Sequence, residues 1–485
     1  MVKKLHLTHS VSNPSLAKSL KTIGLVSKSI KESIDVQSMG KVCRLSRYLE
    51  RMYGYCDLIS EACSKVFRCS GSEIYYFNGS YWEVLRDVLF ERSVMESLGS
   101  FCPEKGDLVR GRSVIMRSAY QGAGMSCLHV SKAVVGFRNG VVDFTDIDNP
   151  IIHPFSDKLD ITSVLPYDYD PSVDCPTWKS FLRGILRPGQ IDILQKFMGL
   201  GVVPRNNMKR KVEKTLWLVG SGGNGKSVIH DVMVYVYGRD NFSDVSLFNL
   251  IKPGDEGARF VATIAGKIFN YCTEVDSCDI SRYEGNFKSL VSGERQQARK
   301  IGGNVEMIDE IPYLVFNMNQ QPGNRSMGQA FMRRLEIIDF RSTVSEKDQR
   351  LDLVDVLCRE ASGIRNWLIE GYKKLRDADF KFMATEESRQ YMMDNEQSPM
   401  VFMSDMKYRD SQLAGHLDEQ PQWVRANDIY DEYCRWCRNK EGIDPDNIQK
   451  FGRDLKRLHY EKRRTSTGNV YAVYSSKVIG YALKI

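Results

Sequence analysis

Nowhere in its 485 residues does this chain stay apolar for the ~18 residues that a membrane-crossing helix needs. Its first ten residues, Met1 to Ser10, are charged and lack the apolar core of a secretory signal, so export is not expected. Paired cysteines are missing too. Of twelve cysteines only Cys434 and Cys437 stand at Cys-x-x-Cys spacing, and no second pair completes a zinc set. That pair reads as packing on a helix, and the scattered thiols fit a reducing cytoplasm. The charge is not extreme: a net +7 is compatible with nucleic acid without arguing for it. Asp143, Asp146 and Asp148 flank a turn and read as solvated loop carboxylates before they read as a metal site.

The chain is long enough for roughly three domains at ~150 residues each. Its most informative stretch runs from Thr215 to Tyr237. Thr-Leu-Trp-Leu-Val is short, apolar and β-forming, as a buried strand should be. Gly220 to Ser227, Gly-Ser-Gly-Gly-Asn-Gly-Lys-Ser, matches the phosphate-binding P-loop. Val228, Val232 and Val236 then recur at helical spacing beside Ile229 and Met233. Strand, loop and helix stand in the order that a triphosphate cradle requires. Gly220, Gly222, Gly223 and Gly225, with Ser221 and Asn224 between them, let backbone N–H groups approach phosphate oxygens. The helix N-terminus adds its positive dipole end. Lys226 is placed to reach the β- and γ-phosphates, and the Ser227 hydroxyl to ligate Mg²⁺. ATP and Mg²⁺ are therefore the expected cofactors.

Upstream, residues 1–68 read as basic and helical, with Lys18, Lys21, Lys28 and Lys31 either touching DNA or lying on a solvated face. A β-hairpin is expected around Asn78-Gly79, a helix from Arg86 to Leu98, and two helices around Arg187-Pro188-Gly189. The run from Asn139-Gly140-Val141 through Tyr167-Asp168-Tyr169-Asp170-Pro171, Cys175-Pro176-Thr177-Trp178 and Phe181-Leu182 resembles the region preceding the motor in primase-helicases of phages, plasmids and large DNA viruses. Those motors are superfamily 3 helicases, a branch of the AAA+ ATPases.

The later motor motifs follow in order. Residues 266–276 form a mostly apolar strand ending in carboxylates, the Walker B pattern. Glu274 is the expected catalytic and metal-holding carboxylate, and Asp276 the second candidate. Phe287 to Glu294 resembles the family's next segment. Gln297 to Ile301 and Asn304 to Ile308 then flank Gly302-Gly303 as a hairpin, which in the family grips single-stranded DNA; Arg299 and Lys300 are its candidate phosphate contacts. Tyr313 to Pro322 resembles motif C, or sensor 1, with Asn319 as the sensing amide and Asn317 as the alternative. Phe331 to Phe340 resembles the arginine-finger segment, with Arg333 and Arg334 both candidates for reaching a neighbour's ATP. Glu360 to Leu375 reads as a core helix. At the end, Asn427–Asn439 and Asn447–Leu458 are expected helices, followed by a hairpin from Tyr460 to Ser475. That is a winged-helix pattern in which Lys450, Arg453, Lys456 and Arg457 are candidate DNA contacts.

The resemblance implies an α/β fold with a central parallel sheet. Residues 201–378 would be the AAA+ motor, preceded by an α+β region at 69–200. Residues 379–422 would connect it to a winged-helix-like domain at 423–485 that binds DNA or a partner. It implies a ring, by analogy a hexamer, moving on single-stranded and forked DNA in phage, plasmid or viral replication inside the host cytoplasm. The ~70 residues before the shared region carry no recognisable acidic metal triad, so priming is expected from a separate primase. Two alternatives remain: a DNA translocase or packaging ATPase that does not part strands, and an ATP-switched origin-binding scaffold.

Overall fold

The computed structural model describes residues 14–71, 73–102, 105–124, 126–208, 210–220, 222–272, 283–318, 331, 333–340, 350–383, 398–408, 420–439, 445–457, 460–466 and 468–475. The chain forms two compact units, Met1–Tyr169 and Asp170–Ile485.

In the first unit, helices α1 (Pro14–Ser33), α2 (Val36–Cys43) and α3 (Tyr48–Val66) lead into an antiparallel meander of β1 (Phe67–Ser70), β2 (Glu73–Phe77) and β3 (Trp82–Val84). Asp35 starts α2 by accepting from the Gln37 and Ser38 amides. Helices α4 (Asp87–Gly99) and α5 (Lys105–Ala123) follow. Ile30, Ile59, Phe67, Phe90 and Ile115 are all fully buried in one cluster. The expected boundary at residue 68 therefore falls inside a single core rather than between two domains. Of the α1 lysines, Lys18 pairs with Glu83 at 2.9 Å and Lys28 with Glu32 at 3.7 Å. A second sheet, β4 (Val134–Phe137), β5 (Gly140–Asp143), β6 (Ile151–His153) and β7 (Val164–Leu165), has the order β6-β5-β4-β7. Asp143 accepts from the Thr145 amide and Asp146 from the Asp148 amide, so these carboxylates shape turns.

The second unit opens with α6 (Pro176–Ile185) and α7 (Pro188–Gly199). Then come β8 (Thr215–Val219), α8 (Lys226–Tyr237), β9 (Phe242–Ser243), α9 (Leu247–Ile251), α10 (Gly254–Ile264), β10 (Phe269–Cys272) and α11 (Glu284–Val291). The hairpin β11 (Gln296–Arg299) and β12 (Val305–Ile308) precedes β13 (Tyr313–Met318) and β14 (Leu335–Asp339). Five strands form a wholly parallel sheet in the order β14-β8-β13-β10-β9. A parallel sheet is covered on both faces, which is why β8 and β13 are buried at every residue and are mostly apolar, with Thr215 and Asn317 as their polar members. On one face Trp217, Phe316 and Ile337 pack with Leu250, Ile264 and Phe287 from α9, α10 and α11. On the other lies α8, whose His230 ring meets Tyr271 of β10 edge-on at 4.8 Å.

Helices α12 (Leu353–Cys358) and α13 (Ala361–Asp377) return to the start of the unit. The α13 backbone passes α7 so closely that a Cβ on Gly371 would lie 2.3 Å from the Gln195 carbonyl. Glu360 accepts from the Thr177 and Trp178 amides, capping the first turn of α6 from 182 residues away.

The last part comprises α14 (Ser398–Asp405), β15 (Gln422–Arg425), α15 (Ala426–Arg438), α16 (Ile448–Arg457), β16 (Lys462–Thr465) and β17 (Gly468–Val473), with strand order β15-β17-β16. Phe402, Met403 and Tyr408 share its core with Tyr433, Phe451 and Leu455. Part of the expected connector at 379–422 thus belongs to this packed cluster, and β15 is a strand the sequence pattern did not mark. Cys437 is buried in the same core, and Cys434 packs against it partly buried.

Candidate functional site

The glycine loop leaves the C-terminal end of β8, where open α/β sheets place their ligands. Its first residue is tied to the sheet: the Gly220 N–H donates to the Met318 carbonyl at 3.0 Å, and the Phe340 N–H to the Val219 carbonyl at 2.8 Å. Gly225 has φ +90°, and a Cβ there would lie 2.9 Å from Ile185 Cδ1, so both conformation and space demand glycine. No side chain caps α8, which leaves its first-turn N–H groups for another acceptor.

Lys226 is buried at the start of α8. Its ammonium donates to the Gly220 carbonyl at 2.6 Å and to Asn224 Oδ1 at 2.9 Å. Burial holds its pKa below the ordinary lysine value. Asn224 is 2% exposed, and its Nδ2 has no hydrogen-bond partner. Ser227 is exposed on the first turn, while Gly222 and Gly223 form the outer part of the loop. A buried cation, an orphan amide donor and uncapped helix N–H groups converge here, the chemistry of an anion cradle.

Other expected residues divide sharply. Ser221, Glu274, Asp276 and Asn319 lie outside the described residues; β10 is described only as far as Cys272. Asn317 stands on β13 opposite Leu218 of β8, is 3% exposed, and has an Oδ1 without a partner. Among the described residues no cluster of His, Cys, Asp and Glu has the makings of a metal site. Of the expected Mg²⁺ ligands only Ser227 is described.

Arg333 and Arg334 precede β14. Because β14 runs parallel to β8 with Leu335 opposite Thr215, both arginines lie at the sheet edge away from the glycine loop. The five residues of β8 put about 17 Å between those edges at ~3.3 Å per residue. The Arg334 side chain is 8% exposed and donates through Nη2 to Glu213 at 2.9 Å and to Ser292 Oγ at 3.1 Å. The Arg333 side chain is 67% exposed. The choice between them, open at the sequence level, becomes a contrast between an anchored side chain and one facing outward.

The hairpin pairs Arg299 with Val305, and its tip carries Lys300 exposed and Ile301 91% exposed. Arg299 is less available than its position suggested. It pairs with Asp255 of α10 at 2.6 Å and donates to the Gly303 carbonyl at 3.1 Å. Near the chain's end, Arg453 and Lys456 are exposed on α16, and Lys450 is paired with Asp446 at 2.8 Å. Arg457 ends that helix. Glu213, Ser292, Asp255 and Phe340 were not singled out from the sequence, because each matters only through a neighbour brought close by folding.

Two family models match the chain. Residues 127–187 match the family described as D5 N terminal like, and residues 218–334 match a family of unknown function, DUF5906. The first match falls on the segment whose residues resemble the pre-motor region of phage and viral primase-helicases; the second covers the whole glycine loop, the hairpin and both arginines. Among solved structures, the A form apo structure of the NrS-1 C terminal region is 11% identical with a TM-score of 0.47, across 83% of this chain and 93% of that one. A second apo structure of that region is 11% identical with a TM-score of 0.36, across 70% and 95%. No described helix is long and apolar enough to cross a membrane.

Proposed function

We propose that this protein is an ATP-driven DNA helicase of the superfamily 3, AAA+ type, working as a ring in phage, plasmid or viral replication. ATP sits on Gly220–Ser227 of one subunit, and Arg333 of the next reaches its γ-phosphate. The observation that carries the reading is the placement of Arg333. It is exposed at one edge of the parallel sheet while the glycine loop occupies the other, so within one subunit the two are held apart.

In this reading Lys226 leaves the Gly220 carbonyl and Asn224 to meet the phosphates, and the α8 N–H groups hold their oxygens. Mg²⁺ neutralises phosphate charge when bound, with Ser227 and the carboxylates Glu274 or Asp276 as its holders. Glu274 also positions the attacking water, assisted by Asn319 or by Asn317, whose orphan Oδ1 suits accepting a hydrogen bond from it. The β11–β12 hairpin carries Lys300 to one DNA strand, with Arg299 bracing the hairpin against α10. The strand-helix-helix-hairpin cluster at the chain's end acts as a winged helix, using Arg453, Lys456, Lys450 and Arg457 on duplex DNA.

A fork-unwinding assay with tailed and blunt duplexes tests the reading. ATP-dependent strand separation that Lys226→Ala and Glu274→Gln abolish is expected. Translocation without separation would instead favour a packaging-type motor. Replication activity that survives both substitutions would overturn the motor reading.

A further inference from the structure

Both arginines before β14 turn toward one acid. Glu213 lies two residues ahead of β8 and is about a third exposed. Its Oε2 accepts from Arg334 Nη2 at 2.9 Å and lies 3.6 Å from Arg333 Nη2. Arg334 is itself fixed from behind by Ser292 Oγ, which closes α11, and its carbonyl accepts from the Thr215 N–H at 2.8 Å. The nearby Lys214 does not compete for Glu213, because its ammonium is engaged by the fully buried Glu336. Buried Arg334 thus sets the position of Glu213, and Glu213 presents a fixed negative charge to exposed Arg333.

An arginine 67% exposed samples many rotamers, and a weak ion pair is enough to narrow them. We propose that Glu213 is a positioning residue that holds the Arg333 guanidinium in the outward orientation from which it meets a neighbouring subunit's nucleotide. The inference rests on the reading of Arg333 as the residue that reaches across. It adds an acid that touches no substrate, and it gives Arg334 the task of holding that acid.

Subunit mixing with the full chain tests it. Glu213→Gln should lower the ATPase kcat by about 10- to 100-fold, as misplacement of a catalytic group does, with the KM for ATP nearly unchanged. Its own glycine loop remains sound. Mixing Glu213→Gln with Lys226→Ala subunits should therefore restore turnover wherever an intact loop faces an intact Glu213–Arg333 pair. Glu213→Asp keeps the charge opposite Arg334 and should fall between wild type and Glu213→Gln; if Glu213→Gln does not fold, Glu213→Asp carries the same mixing test. Wild-type turnover by either folded variant overturns the inference. So does a loss that Lys226→Ala subunits fail to restore while they do restore Arg333→Ala. If Arg333→Ala is not restored either, the shared-site reading fails, and the inference with it.

Discussion

Arg333 and Arg334 are adjacent, yet their surroundings predict opposite phenotypes. Removing Arg334 leaves Glu213 and Ser292 without their buried partner. Losing a buried side chain and its hydrogen bonds costs about 1–3 kcal/mol, so Arg334→Ala should lower the thermal midpoint clearly in calorimetry. Arg333→Ala should leave stability within about 0.5 kcal/mol, as exposed substitutions do. Its ATPase turnover should nevertheless fall by about 10³-fold or more, the scale of an arginine-finger loss. The sequence could nominate the pair but not divide it, because burial of Arg334 is decided by Glu213 and Ser292, 121 and 42 residues away. The glycine loop was legible for the opposite reason: its residue types and their spacing lie in one unbroken stretch, Gly220 to Ser227.

Elements with a strong period were readable, and those defined by distant pairing were not. The expected strand and helix flanking the loop are β8 and α8, and the hairpin around Gly302-Gly303 is β11 and β12. The two-residue β9 and the four-residue β1 and β15 carry too few residues for a pattern, and the sheet order cannot be read from any single strand. Two elements lend themselves to experiment. In the hairpin, Lys300→Ala should weaken single-stranded DNA binding alike for all sequences and reduce the log–log salt slope by roughly 0.7 in a fluorescence titration. In the α7–α13 contact, Gly371→Ala places a methyl against the Gln195 carbonyl. Backbone cannot yield as a side chain does, so a loss of about 1–3 kcal/mol is expected in denaturant unfolding.

At the scale of the whole molecule, a site split between copies makes inactive subunits complementary. In an equal mixture of Lys226→Ala and Arg333→Ala chains, about a quarter of head-to-tail interfaces would join an intact loop to an intact arginine. ATPase activity should reappear on mixing and be absent from either variant alone; continued silence would show that the site does not span subunits. A different consequence follows from the way β8 is enclosed. It is an interior strand of the sheet, yet both its neighbours, β13 and β14, come later in the chain, and α7 waits for α13. A ribosome that has just completed the glycine loop has therefore made a strand with nothing to pair with. At ~5–20 residues per second, the remaining distance to the end of β14 at Asp339 takes roughly 6–22 s. For that interval the apolar strand Thr-Leu-Trp-Leu-Val lacks both of its sheet partners, and whatever shields it is not its own sheet.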